Sequence, residues 1–323
     1  MRKTARRTGE TLLARLLIAT AVTLPRRAGL SLFRDLGSVA YRCCRTDRER
    51  ALSNLALAFP GAPRLVIEAI AKGSFRALGA NVLDALRLVR LSKERVLASC
   101  TVSGEEHLRD ARRRGRGVVV LTGHIGCWEM MAAFVSAKGY PVSVIARSLK
   151  NRSLDRILVR MRGRHGIESF ERGAAAVSGF RALREGKLLG MLVDQDIDVD
   201  GIMVPFFGAP AHTPVGPAVF ALRSGAAIVP MGIHLRPDGM HRVTILPELE
   251  IPPEELPESE RVERLTVRGV EAIEALIRLC PQQWVWFHDR WRRRPETLEM
   301  CAQKDYCEGD GTDWGRSVPL VRA

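Results

Sequence analysis

The stretch Gly117–His124, GVVVLTGH, constrains this chain more than any other. Its apolar residues, mostly β-branched, follow one another without the polar alternation of a half-exposed strand. It therefore reads as a strand buried on both faces, ending in a Gly-His turn. Such a strand needs helices on both sides of its sheet, and the sequence that follows supplies them. CWEMMAAFVSAKG reads as a helix closed at Gly139, PVSVIAR as the next strand, SLDRILVRMRGRHG as a helix and IESF as a short strand. AAAVSGFRALREG is then a helix closed at Gly186, KLLGMLVDQD a third strong strand, and AAIVPMGIHL and HRVTILPEL two more. RVERLTVRGVEAIEALIRLC is a long helix near the C-terminal end. Strands alternating with helices predict an α/β fold, with a mostly parallel central sheet flanked by helices. Upstream, Ala51–Phe59, Leu65–Leu78 and Asn81–Leu91 carry helical apolar spacing, with a break at Pro60-Gly61.

The first fifty residues hold twelve basic side chains against four acidic ones, more than half of the chain's net charge of +14. Such a surplus points to a polyanionic partner: nucleic acid, an anionic lipid surface or an acidic protein. Aromatics are 6% of the 323 residues, thin for a protein that stacks bases, and no nucleic-acid-binding signature occurs. The Arg109, Arg112–Arg114, Arg116 cluster has no aromatic interleaving and reads as a solvated face. Between Arg7 and Arg26 lies TGETLLARLLIATAVTLP, in which Glu10 and Arg15 interrupt the apolar run. A spanning helix wants about 20 apolar residues, so an amphipathic helix lying on the membrane is favoured over a short transmembrane one. The expected organisation is a membrane-anchoring helix over 1–27, one globular domain over 28–300 and a loose tail over 301–323. Seven cysteines at irregular spacing, without a CxxC pair, suit a reducing compartment and argue against a structural zinc site.

In α/β sheets functional residues gather at the carboxyl ends of strands. Here those ends are Gly123-His124, Arg147 and Asp194-Gln195-Asp196. His124 is the side chain best suited to accept a proton near neutral pH. Glu129 lies five residues on, about 140° away on one continuous helix. If Gly126 makes the turn and the helix starts after it, Glu129 folds back on His124 and orients the ring. A capping histidine beside a first-turn glutamate is the structural alternative. A metal site from His124, Cys127 and Glu129 lacks a second ligand cluster. No G-x-S-x-G, no P-loop and no strand-following G-x-G-x-x-G occurs, so serine-hydrolase and nucleotide-dependent chemistry have no support and no cofactor is expected.

LTGHIGCWE resembles the H-x4-D/E motif of glycerolipid-type acyltransferases, and the wider chain resembles the bacterial lipid A biosynthesis acyltransferases. The segments RERALSNLALAFP, VIARSLKNRSLDRILVRMRGRHGIE, LVDQD, VPFFGAPAHTPVGPAVFALRSGAAIVP and PQQWVWFHDRW follow in the family's order, over about residues 10–294. The resemblance implies transfer of a fatty acyl group from acyl carrier protein, or from acyl-CoA, to a hydroxyl of a lipid A precursor or another glycolipid. The site would lie on the cytoplasmic face of the inner membrane. It implies His124 as general base with Glu129 orienting it, Arg147 on phosphate or the developing oxyanion, and Asp194 and Gln195 either on acceptor hydroxyls or holding the loops. It places Phe206 and Phe207 along the acyl channel, with the buried core as the alternative, and Thr213 either on a phosphate or as the cap of the helix at 216–224. Cys127 is expected in the core. A non-catalytic basic module that binds nucleic acid or anionic membrane is the reading from a different class, and it rests on charge alone.

Overall fold

A computed structural model describes residues 2–171 and 175–293. The tail expected over 301–323 lies outside the described residues, as do Cys301 and Cys307. The strands are β1 (Cys100–Ser103), β2 (Val118–Thr122), β3 (Val142–Ala146), β4 (Ile167–Glu171), β5 (Leu188–Leu192), β6 (Gly201–Phe206), β7 (Ala209–Pro214), β8 (Ala227–Leu235) and β9 (His241–Ile245). The helices are α1 (Arg2–Thr23), α2 (Arg26–Cys43), α3 (Arg45–Ala58), α4 (Arg64–Arg87), α5 (Lys93–Ala98), α6 (Glu105–Arg113), α7 (Trp128–Ala137), α8 (Arg152–Arg164), α9 (Ala175–Arg184), α10 (Gly216–Ser224) and α11 (Glu258–Arg278). Seven strands form one sheet in the order β1-β9-β8-β2-β5-β3-β4. β8, β2, β5, β3 and β4 run parallel, while β9 and β1 run against them.

The centre of that sheet explains the apolar runs. Every residue of β2 and of β8 is buried, because helices cover both faces. Side chains alternate between two cores. Val118, Val120, Leu188, Val229 and Met231 meet Met130, Met131 and Phe134 of α7 on one face. Val119, Leu121, Leu189 and Ile228 meet Ala218 and Ala221 of α10, and Leu265, Val270 and Ile273 of α11, on the other. β6 and β7 form a separate antiparallel hairpin. Its two-residue turn, Phe207-Gly208, has both residues at positive φ (50° and 78°), as a type I′ turn demands. The strain at Phe207 is held by the Glu274 carboxylate, which accepts its backbone N–H at 2.6 Å, and by the Arg278 guanidinium 4.7 Å from the ring centroid.

The N-terminal helices are tied to the sheet edge through one buried charge. Asp84 of α4 accepts two bonds from the Arg26 guanidinium (2.8 and 2.6 Å) and pairs with His241 Nε2 of β9 at 2.8 Å. Burial alone would raise the Asp84 carboxyl. The hydrogen bonds and charges of His241 and Arg26 outweigh it and hold the pKa at about 2. Among the described residues no helix is long and apolar enough to cross a membrane. α1 buries Ala21 against α2 and α4, while Leu12, Leu13 and Leu16 are 70%, 57% and 64% exposed.

Two helices expected over 65–78 and 81–91 are one, α4. The glycine between them is a contact rather than a break. A Cβ at Gly79 would stand 2.0 Å from the Phe33 carbonyl of α2, and one at Gly37 of α2 would stand 2.2 Å from the Phe75 carbonyl of α4. The two backbones therefore touch through reciprocal glycines. Gly79→Ala would gain about 1 kcal/mol of helix propensity. It would also force a methyl into a carbonyl that no rotamer can move, an overpacking cost of about 1–3 kcal/mol or more. The expected outcome is a lower melting temperature. An unchanged or raised value would show that α2 and α4 can move apart freely.

Candidate active site

β2 ends at Thr122, and the chain then passes through Gly123, His124, Ile125 and Gly126 before α7 starts. Two glycines make this turn possible. A Cβ at Gly123 would lie 2.8 Å from Asp194 Oδ2, and Gly126, at φ +55°, passes so close to the Ile233 carbonyl that a Cβ would lie 2.0 Å from it. The turn is clamped from outside by the Pro281–Trp286 segment. Gly126 N donates to the Gln283 carbonyl at 2.8 Å, Ile125 bridges Trp284, and the Gln283 side chain closes two bonds on the backbone of Leu235.

His124 is thereby held against Asp194, which follows the adjacent strand β5. Nδ1 of the ring lies 2.8 Å from Asp194 Oδ1, and the His124 backbone N–H donates to Oδ2 at 2.6 Å. The Trp284 indole N–H donates to the same Oδ2 at 2.7 Å. The carboxylate is fully buried, and desolvation pushes its pKa up. The His124 charge and these three N–H donors reverse that and hold it at about 2. An ionised carboxylate only accepts, so Nδ1 carries a proton toward Oδ1, and this contact selects the tautomer whose neutral form has its lone pair on Nε2. Nε2 has no hydrogen bond among the described residues, and the ring stands edge-on to Trp128 with centroids 4.9 Å apart.

Glu129 does not take the place expected for it. It stands in the first turn of α7, and both its oxygens accept from Arg162 of α8, at 2.9 Å (Nε) and 2.5 Å (Nη2). The carboxylate that orients His124 is that of Asp194. The expectation failed because β2 and β5 are neighbours in the sheet, which brings the two strand ends together, while the turn of α7 aims Glu129 at α8. His124, Glu129 and Arg162 all line one cavity of about 410 Å³ between α7 and the β2–β5–β3 surface. Its walls are mostly apolar: Val120, Val144, Leu188, Met131, Val135 and Met231. Arg147, after β3, and Gln195, after Asp194, line it as well. Arg147 is exposed and makes no ion pair among the described residues.

The remaining expected residues lie elsewhere. Phe206 and Phe207 pack into the core on the opposite face, with Trp284, Trp286, Trp291 and Phe59, and neither lines the cavity. Thr213 is buried in β7, where its hydroxyl accepts from Arg290 at 2.6 Å and donates to the Ala211 carbonyl at 3.1 Å. It caps no helix, since Val215 precedes α10. Arg290 is itself buried, lies 4.8 Å from the Phe206 centroid and also donates to the His212 carbonyl. Burial pulls its pKa down to about 10, against the raising charges of Asp194, Asp196 and Glu274. Cys127 is 2% exposed, and burial pushes its thiol well above the ordinary range, as suits a core residue. Sequence reasoning missed Arg162 and Trp284. Both stood inside quoted segments, but neither has a local spacing to His124 that would mark it.

Residues 3–293 match the sequence model of a family described as bacterial lipid A biosynthesis acyltransferase. Among curated proteins, the phosphatidylinositol mannoside acyltransferase of Mycolicibacterium smegmatis is 26% identical over 247 residues, covering 75% of this chain and 79% of its own. The lipid A biosynthesis lauroyltransferase of Escherichia coli is 26% identical over 264 residues, 81% of this chain and 84% of its own. The Escherichia coli lipid A biosynthesis myristoyltransferase is 25% identical over 291 residues, 86% and 88%.

The depressed pKa of Asp194 fixes the sign of a pH effect. A carboxyl lowered from 3.8 to about 2 on folding contributes stability that is complete above pH 3.8 and lost as pH falls through 2. The contribution is on the order of 2 kcal/mol. Asp194→Asn should therefore lose stability at pH 6 and show a flatter decline between pH 4 and 2 than the wild type. Urea midpoints measured across that range test it; parallel curves would mean that folding leaves the Asp194 pKa where it stands in the unfolded chain.

Proposed function

The chain belongs to the bacterial lipid A biosynthesis acyltransferase family, and from that premise we propose that it moves a fatty acyl chain from a thioester donor, acyl carrier protein or acyl-CoA, to a hydroxyl of a lipid A precursor. One observation carries this reading: a histidine with a free Nε2, backed by a buried carboxylate, at an apolar cavity with room for an alkyl chain. The acyl tail lies in the cavity and the thioester carbonyl at its mouth. His124 Nε2 takes the proton of the acceptor hydroxyl as the oxygen attacks the carbonyl carbon. Asp194 stabilises the imidazolium that forms. The C–S bond then breaks, the thiolate leaves, and the imidazolium returns the proton to it. Arg147 stands where its guanidinium can meet the developing oxyanion or a phosphate of either substrate. Glu129 acts at one remove, by fixing Arg162 in the cavity wall.

The similarity to a mycobacterial enzyme named for phosphatidylinositol mannoside favours a second acceptor reading, in which the hydroxyl belongs to a mannosylated phospholipid. Both readings share donor, base and cavity. They separate when purified protein is offered an acyl carrier protein thioester with each acceptor in turn. His124→Ala should lower acyl transfer by about 100- to 10,000-fold, the usual worth of a positioned general base. Equal transfer by variant and wild type would remove His124 from the reaction.

Membrane attachment belongs to the same proposal. α1 holds Leu12, Leu13 and Leu16 outward beside Arg7 and Arg15, the composition of a helix that lies in the plane of an anionic bilayer, and this suits work on the cytoplasmic face of the inner membrane. Burying each leucine is worth about 1.5–3 kcal/mol. Replacing all three by glutamine should cut co-sedimentation with anionic vesicles by at least about tenfold and leave the melting temperature unchanged. Full retention would place the attachment surface elsewhere.

A further inference from the structure

Strand β5, Leu-Leu-Gly-Met-Leu, carries a glycine at its centre, paired on both sides. Glycine in a strand interior costs about 0.5–1 kcal/mol relative to alanine, so its presence asks for a reason. Conformation does not supply one, since Gly190 is absent from the glycines at positive φ. Its surroundings do. A Cβ built at Gly190 would meet only Val144 Cγ1 at 3.2 Å and the Ser143 carbonyl at 3.7 Å; otherwise it would project into open space. That space is the cavity, which Gly190 lines.

The register of the sheet gives the cavity floor three layers. Thr122 and Leu192 pair at the end nearest His124. Val120, Gly190 and Val144 form the middle rung. Leu188 and Val142 pair one rung deeper. All seven line the cavity, and the alternation of strand side chains puts them on one face. The middle rung is thus two valines with a missing side chain between them. We propose that this gap sets the length of acyl chain the protein accepts: a chain entering at His124 crosses the floor over Gly190 and ends against Leu188 and Val142. A side chain at 190 closes off the deeper layer in proportion to its size. The inference rests on the reading of the cavity as the acyl site.

One rung is two residues, about 6.6 Å. An extended chain advances about 1.2 Å per bond, so closing the deep layer removes room for roughly five carbons. The test uses saturated acyl carrier protein thioesters of 8 to 16 carbons with full-length wild type, Gly190→Ala and Gly190→Val. Binding of each thioester and its transfer to a lipid A precursor are both measured. The readout is the ratio of long-chain to 8-carbon signal within each preparation, which does not depend on the fraction folded. Wild type should favour chains longer than 8 carbons. Gly190→Val should move the preferred length down by about five carbons and lower the long-to-short ratio by about 1,000-fold, as buried methylenes are lost. Gly190→Ala should shift it part of the way. Identical length profiles in all three proteins would overturn the role of Gly190 while leaving the cavity as the acyl site. A wild type whose binding does not change with chain length would instead overturn the acyl reading of the cavity, and the inference with it.

Discussion

A single carboxylate organises the site. Asp194 accepts hydrogen bonds from three N–H groups, two on His124 and one on Trp284, and these come from the turn after β2 and from the segment that follows α11. Leaving a charge of that kind buried without such donors would cost several kcal/mol. The aspartate therefore requires both segments to be in place, and they require it. This explains the apparent excess of bracing around the turn: the two glycines that let the backbone pass, the Gln283 side chain locked to Leu235, and Arg290 buried nearby as a compensating cation. In the proposed mechanism, a base held so firmly loses little entropy on reaching the geometry of reaction.

The N-terminal helices repeat that device. Asp84 gathers Arg26 and His241 as Asp194 gathers His124 and Trp284, and it fastens α2 and α4 to the antiparallel edge of the sheet. Along the rest of their length the two helices are joined by backbone contact at Gly37 and Gly79, where no side chain separates them. The helical layer that carries the exposed leucines of α1 is in this way coupled to β9, next to the edge of the sheet, by charge and by close packing together. In the proposed function the membrane-facing surface and the catalytic sheet then move as one piece.

Much of this was legible in the sequence, for reasons that differ by residue. The buried strands announce themselves through unbroken β-branched runs, and the strand-end rule leads to His124, Arg147 and Gln195, all of which line the cavity. The histidine's partner was not legible from spacing. That depends on strand order, and nothing local to GVVVLTGH or to KLLGMLVDQD says that β2 and β5 lie side by side. Glu129 was the near neighbour in sequence, so it was assigned the role that the distant Asp194 occupies. Phe206 and Phe207 were misplaced for a related reason. Two adjacent rings suit a lipid channel or a core equally, and only the hairpin turn at Phe207-Gly208 decides which face they join. The gap between the helices expected over 65–78 and 81–91 falls on Gly79, a residue that weakens a helix in isolation. Its use, the approach of α2, is a tertiary fact.

The +14 charge also changes meaning once residues have neighbours. The Arg112–Arg114 cluster, which reads in sequence as a solvated face, is largely spoken for. Arg113 pairs with Asp110, Arg114 with Glu248 at 2.5 Å, and Arg112 lies over the Tyr140 ring. At the cavity Asp194 is enclosed by its three N–H donors, and the pair of Glu129 with Arg162 leaves little net field of its own. Arg147 does not, since it has no ion-pair partner among the described residues. The positive potential at the mouth therefore falls on an arginine beside the proposed base, above walls that are apolar below it. A molecule that suits both ends has an anionic head and a hydrocarbon tail. That combination describes a fatty acyl thioester of a phosphate-bearing carrier better than it describes a nucleic acid, whose charge would find nothing in the cavity to complement its bases.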